Sequence, residues 1–255
     1  MPKLSVVIPT YNEELFLPKL LDSLCKQTFK EFEIIVSDKS TDKTKEVAES
    51  YKDRLDIKVV SPTQGRGVSR QRNYGATFAK AELLLFLDAD DVLFEFALEY
   101  LLKKYEKYNF DLASCWHRPA NHIPVDWTGI YMYNFYAEAR NNLSPTFSGQ
   151  FFFIKKQAFN KVGGFDENSS FAEDFDLSIR AFKAGYKPKF IRKHLFKMSD
   201  RRIKKEGRLK YYAMHAWNGV LFALPKDKGK KHLKPYELEG YDELVRKGKI
   251  KIKNS

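Results

Sequence analysis

An α/β fold built on a largely parallel sheet is the class this sequence predicts, and three observations predict it. Short β-rich apolar runs recur along the first half. Apolar residues between them fall at helical spacing, and the polar residues with chemical promise follow the runs directly. Leu4 to Ile8 reads as the first strand, and Leu17, Leu20, Leu21 and Leu24 then share one helical face. Glu33 to Val36 follows as a strand, with Val47, Ala48, Tyr51 and Leu55 as the next helical face. Ile57 to Val60 and Leu83 to Leu87 are further strands. A helix beginning near Phe94 presents Phe96, Tyr100, Leu101 and Tyr105, and Asp111 to Trp116 closes the series. Strands alternating with helices of this length imply βαβ units, whose ligands bind outside the carboxyl ends of the strands. Thr10 to Glu13, Asp38, and Asp88 to Asp91 all fall at such ends, so one site can collect them.

A chain of 255 residues, 43% hydrophobic, is long enough for a full core, which excludes general disorder. It contains no uncharged apolar run of about 18 residues and no signal-peptide profile, so the expected location is the cytoplasm. Cys25 and Cys115 sit in apolar patterns that suit reduced core thiols. The net charge of +12 favours an anionic partner without choosing between nucleic acid, an acidic membrane and a phosphorylated small molecule. Much of the basic charge crowds the C-terminal third, in Lys187 to Lys197, Arg201 to Lys210 and Lys226 to Lys234, where solvated faces are the plain reading.

In Leu83-Leu-Leu-Phe-Leu-Asp88-Ala-Asp90-Asp91 an apolar strand opens onto three carboxylates. Crowded carboxylates repel one another and lose hydration, so they persist where a cation or solvent offsets them. A hard divalent metal is one partner; the alternative is a solvated turn in which an Asp caps the next helix.

Six ordered segments carry a family resemblance. They are Ser5-Val-Val-Ile-Pro9-Thr-Tyr11-Asn12-Glu13, Ile34-Ile-Val-Ser-Asp38-Lys-Ser-Thr-Asp42, Arg72-Asn73-Tyr-Gly75, Phe86-Leu-Asp88-Ala-Asp90-Asp91, Gly163-Gly-Phe-Asp-Glu167 and Glu173-Asp174. Over residues 1 to 200 the chain resembles the family 2 glycosyltransferases of the GT-A fold, and the ordered set is far more specific than any one motif. The resemblance implies a Rossmann-like, mostly parallel sheet with helices on both faces. It implies a nucleotide-sugar half over about 1–116, a smaller acceptor half over about 117–200, and a basic, partly helical extension over 201–255. The implied activity is sugar transfer from a nucleoside diphosphate sugar, UDP-sugar favoured, to a hydroxyl of a glycan or lipid-linked acceptor with inversion. Mn²⁺ or Mg²⁺ is the implied cofactor.

The same resemblance assigns roles. Asp90 matches the metal-contacting carboxylate, with His194 placed where some relatives supply a further ligand. Asp88 reaches the ribose or steadies the metal shell, and Asp91 caps the next helix. Asp174 matches the general base, supported by Glu173 and Asp176. A carboxylate there takes the acceptor proton as the oxocarbenium-like centre forms. On residue type alone, Glu173 and Asp174 also suit the positive end of a helix. Tyr11 and the backbone at Pro9 approach the base, Asp38 accepts from it, and Glu13 stands beside them at the nucleotide. The loop at Asp38 departs from the family by following one Asp with Lys39 and running a residue short, which leaves the base open. Arg70 and Arg72 are offered to the diphosphate, but a spacing of two lets only one face inward. Gly149 and Gln150 resemble the acceptor-side element. The aromatic run Asp126 to Tyr136 suits either a sugar site or core packing.

Three rivals differ in testable ways. A nucleotidylyltransferase would carry a Gly-rich basic loop where this chain has Pro9-Thr-Tyr-Asn-Glu. A nucleic-acid binder gives no reason for carboxylates at successive strand ends, so no nucleic-acid partner is expected. A sugar-nucleotide binder without transfer would lack a working base. Leu209 to Leu224, aromatic and flanked by basic residues, reads either as an interfacial helix touching an anionic membrane or as a helix packed on the domain.

Overall fold

The computed structural model describes residues 1–63, 67–169 and 172–213. In chain order its elements are β1 (Leu4–Thr10), α1 (Leu17–Cys25), β2 (Phe32–Asp38), α2 (Thr44–Glu49), β3 (Ile57–Val60), α3 (Val68–Thr77), β4 (Leu83–Leu87) and β5 (Val92–Leu93). There follow α4 (Ala97–Tyr108), β6 (Leu112–Pro119), α5 (Pro124–Arg140), β7 (Phe151–Lys155), α6 (Lys156–Lys161), α7 (Glu173–Lys183), β8 (Pro188–Met198) and α8 (Arg201–Glu206).

The strands form one sheet in the order β3-β2-β1-β4-β7-β6-β8-β5. The β3-β2-β1-β4 portion is parallel, as the alternation predicts. β7 then enters antiparallel between β4 and β6, and β6 pairs in parallel with β8. Side chains alternate across the sheet with the period of two that a strand imposes. Leu4, Val6 and Ile8 join the core built by α1 and α4, whereas Val7 faces the core built by α3, α6 and α7. Helices therefore cover both faces, and the mixed α/β expectation is met.

Two local expectations change. Val92 and Leu93 pair with Lys197 and Phe196 of β8, so the helix expected near Phe94 starts at Ala97. It buries Ala97, Leu98, Leu101 and Leu102, leaving Phe96 exposed. The aromatic run from Asp126 becomes part of α5, whose buried residues are Asp126, Ile130, Asn134 and Ala137. β6 continues past residue 116, the expected junction of the two halves, and the sheet runs on unbroken.

Past β8, the described part of the C-terminal segment lies on α5. Arg208 Nε donates to the buried Asp126 carboxylate at 3.1 Å, and the Tyr212 hydroxyl donates to the same group. A Cβ at Gly129 would collide with the Tyr212 ring, so glycine is what lets the segment approach. Leu209 is exposed, and the rest of the aromatic stretch, 214–224, lies outside the described residues. No described helix is long and apolar enough to cross a membrane.

Candidate active site

Strand ends place the first carboxylates. Thr10 ends β1 and donates its hydroxyl to Asp38 Oδ1 at the end of β2, 2.7 Å away. Ser40 adds a second hydroxyl to the same oxygen at 2.6 Å, so Asp38 is firmly oriented. Asn12, at φ 55°, accepts from the Thr41 N–H and donates its own N–H to Ser40 Oγ, tying the loops after β1 and β2 together. From α3, Gln71 donates to the carbonyls of Thr10 and Ser37 and closes the gap beneath them. Pro9 is buried in β1, and Tyr11 is half-buried just beyond its end.

Arg72 joins segments far apart in the chain. Its guanidinium donates to Asp88 Oδ1 at 2.7 Å and to Glu173 Oε1 at 2.8 Å, and its side chain is 3% exposed. It lies over the Phe165 ring at 5.1 Å and against Gly149, where a Cβ would meet Nη2 at 2.5 Å. Gly149 is therefore small because the guanidinium fills its side-chain space. Arg70 turns the other way, to Glu167 Oε2 at 2.8 Å, and is the more exposed of the two arginines. Asn73 bonds Glu167 and both the N–H and carbonyl of Phe165, so the Arg72-Asn73 and Gly-Gly-Phe-Asp-Glu segments meet in space.

Asp174 sits in the first turn of α7, entered through Ala172 at φ 55°. Its Oδ2 accepts from the Gly149 N–H at 2.6 Å and its Oδ1 from the Phe175 N–H at 2.8 Å. Withdrawal from water pushes its pKa up to about 7, Glu173's charge adds to this, and Arg72 with the two N–H donors opposes it. A carboxylate poised near neutrality is what proton removal from a hydroxyl requires. Gln150, after Gly149, is half-buried and adjoins the same edge.

A second arginine, Arg201, sits among the remaining carboxylates. It donates through both Nη atoms to Glu13 at 2.6 Å each, and its Nε stands 2.8 Å from Asp90 Oδ2 in an ion pair. Sequence reading takes Arg201 for part of a solvated basic run. The signal that would have found it is its position just past a strand, where the other chemical residues also lie. One further expectation is corrected. Asp91 is fully buried and caps no helix; its Oδ1 accepts from the Ser199 N–H, and burial raises its pKa well above the usual range, with the Asp90 and Asp88 charges adding. His194, the other expected metal ligand, lies within β8, its ring against Trp116 and its Nε2 3.2 Å from the Tyr131 hydroxyl. Among the described residues no three His, Cys, Asp or Glu side chains form a metal cage.

The profile of glycosyl transferase family 2 matches residues 5–163. The chain belongs to that family. A Campylobacter jejuni GalNAc(5)-diNAcBac-PP-undecaprenol beta-1,3-glucosyltransferase is 34% identical over 180 residues, 69% of this chain and 56% of the relative. The Staphylococcus aureus poly(ribitol-phosphate) beta-N-acetylglucosaminyltransferase TarS is 42% identical over 97 residues, 36% of this chain and 17% of that protein. The chain thus spans about half, or less, of these two relatives. Among solved structures, TarS 1–349 with UDP superposes with a TM-score of 0.65 at 21% identity, covering 88% of this chain and 68% of that one. A Pyrobaculum calidifontis mannosyltransferase with GDP-Man and Mn²⁺ gives 0.69 at 21% identity, covering 86% and 62%. At these identities the superpositions establish the shared GT-A type fold of the family 2 chain.

Proposed function

We propose that this family 2 chain is a glycosyltransferase that moves a sugar from a nucleoside diphosphate sugar, UDP-sugar favoured, to an acceptor hydroxyl with inversion. The observation that carries the reading is the Arg72 bridge. One buried guanidinium ties Asp88, at the strand-end carboxylate cluster, to Glu173, the neighbour of Asp174. Donor and acceptor chemistry therefore share one rigid frame. In this reading Tyr11, Pro9 and Asp38 hold the base, Asp88 the ribose, and Gly149, Gln150 and Glu173 border the acceptor. Asp174 removes the acceptor proton on the face opposite the leaving diphosphate.

A divalent ion, Mn²⁺ or Mg²⁺, fits the residues present. Glu13 and Asp90 already converge on a cationic group, Arg201, at hydrogen-bond distance. An ion that keeps phosphate and water ligands needs few protein ones, so the lack of a cage among the described residues is compatible with it. When bound, it would supply charge stabilisation for the departing diphosphate, with Asp90 as its protein ligand. The Mn²⁺ complex of the mannosyltransferase and the UDP complex of TarS support the reading by likeness. The acceptors that the two relatives are named for, a diphosphate-linked undecaprenol and a poly(ribitol-phosphate), make a glycan or lipid-linked phosphate-bearing acceptor the preferred class. The net charge of +12 suits such an anionic partner, and a peripheral contact with an anionic membrane at the cytoplasmic face belongs to the same reading.

The test is a panel of nucleotide sugars with Mn²⁺ and Mg²⁺, followed by thermal stabilisation and slow donor hydrolysis. UDP-sugars are expected to stabilise the parent in the presence of metal, and Asp90→Ala to abolish that stabilisation. Equal UDP affinity of parent and Asp90→Ala, with and without EDTA, would overturn the metal-assisted reading.

A further inference from the structure

The charge balance of the cleft leaves one residue without an assigned role. Arg72 lies between Asp88 and Glu173 and leaves one of their two charges unbalanced. Glu13 and Asp90 then share the single positive charge of Arg201. That pair is under-neutralised by one charge. A divalent ion in place of the guanidinium would balance it, whereas ion and guanidinium together would leave an excess that only a diphosphate offsets. Two cations crowded onto one Asp90 carboxylate also repel each other strongly in a part-buried cleft.

We propose that Arg201 is a donor-site residue that shares Asp90 with the divalent cation: it holds Asp90 and Glu13 when the site is empty and turns to the diphosphate when cation and nucleotide enter. The proposal rests on the reading of Asp90 as the metal-facing carboxylate. The side chain is built for such an exchange. It is 24% exposed, against 3% for Arg72, and it begins a short helix. α8 is fastened without it: Ile203 is buried, the Lys204 N–H bonds the Asp200 carbonyl at 2.9 Å, and Arg208 anchors the following turn on Asp126. The guanidinium can therefore change partners while α8 stays in place. Its planar fork suits phosphate oxygens as well as carboxylates.

Two measurements test it. NMR of the arginine Nε–H groups identifies the Arg201 signal as the one missing from Arg201→Gln, and that signal is followed as Mg²⁺ and UDP are added to the parent. It is expected to move, and to exchange faster with water on Mg²⁺ alone. Mn²⁺ binding, read by EPR of the free ion, is expected to tighten about tenfold in Arg201→Gln, while UDP affinity at saturating Mn²⁺ weakens about tenfold, the scale of one charged hydrogen bond. An Arg201 signal unmoved at saturating Mg²⁺ and UDP overturns the proposal. So does equal Mn²⁺ affinity in parent and Arg201→Gln where Asp90→Asn has lost the ion, a result that leaves the metal reading intact. Absence of Mn²⁺ binding to every protein, with or without UDP, refutes the metal reading and this proposal together.

Discussion

Arg72 and Arg201 make the same kind of bridge, one guanidinium across two carboxylates, in two differently built regions. Arg72 leaves the middle of α3 between buried Gln71 and an Asn73 that is bonded to Phe165, and its head is wedged between Gly149 and Phe165. Arg201 leaves the first residue of a six-residue helix, and its head rests beside Phe16 at 5.2 Å with an open side to solvent. The difference teaches that ion pairing by itself does not say whether a contact is a fixture or an exchangeable partner. Burial and the stiffness of the attachment decide, because they set how much water can replace what is lost.

The comparison is sharpest at the end of the Arg72 bridge where the proposed base, Asp174, stands. Asp174→Asn keeps the shape and its Phe175 and Gly149 neighbours but cannot take a proton, so transfer should fall by about 10² to 10⁴ with UDP affinity little changed. Steady-state rates with an identified acceptor, beside calorimetric UDP binding, check this; a parent-like rate would move the base elsewhere.

Breaking each bridge separates fixture from exchangeable contact. Arg72→Gln strands Glu173 beside Asp174 and should cost about 3 kcal/mol of stability, whereas Arg201→Gln, whose guanidinium is the more exposed but whose partners Glu13 and Asp90 are themselves buried, should cost less, about 2 kcal/mol. Urea unfolding of the two variants gives the ratio, and equal losses would erase the distinction.

The smallest expected effect is on the pH profile. As the proposed base Asp174 must be ionised, and its pKa is raised to about 7, so kcat should rise as pH increases through about 7. Arg72 lowers that pKa, so Arg72→Gln should shift the ascending limb to higher pH, while Arg201→Gln should leave it in place. A limb that shifts equally in both variants would mean that the titration does not belong to Asp174.

Much of this was legible in the sequence. The β4 and β3 spans fall where the apolar runs place them, and the buried face of α1 is the one its leucines mark, because both signals are local periodicities. The prediction that one of Arg70 and Arg72 faces inward follows from helix geometry alone. The start of α4 was misplaced because Val92 and Leu93 are captured by β8, a pairing no local window contains. The neighbours of His194 were not legible because the bulges between β6 and β8 fix which ring it meets, and register across a bulge is a tertiary matter.

By itself, then, the sequence determined the α/β alternation, the edge of the sheet where its acidic residues gather, and the family whose ordered motifs it carries. The reason is that strand period, helical faces and strand-end turns are set within a few residues. Only the tertiary structure decided which charges meet. Arg72 finds Glu173 across 101 positions, and Arg201 finds Glu13 across 188. A basic run in sequence says nothing of which guanidinium will be folded into the cleft, because that choice depends on where β8 ends and how the turn after it is fastened to α5 by Asp126.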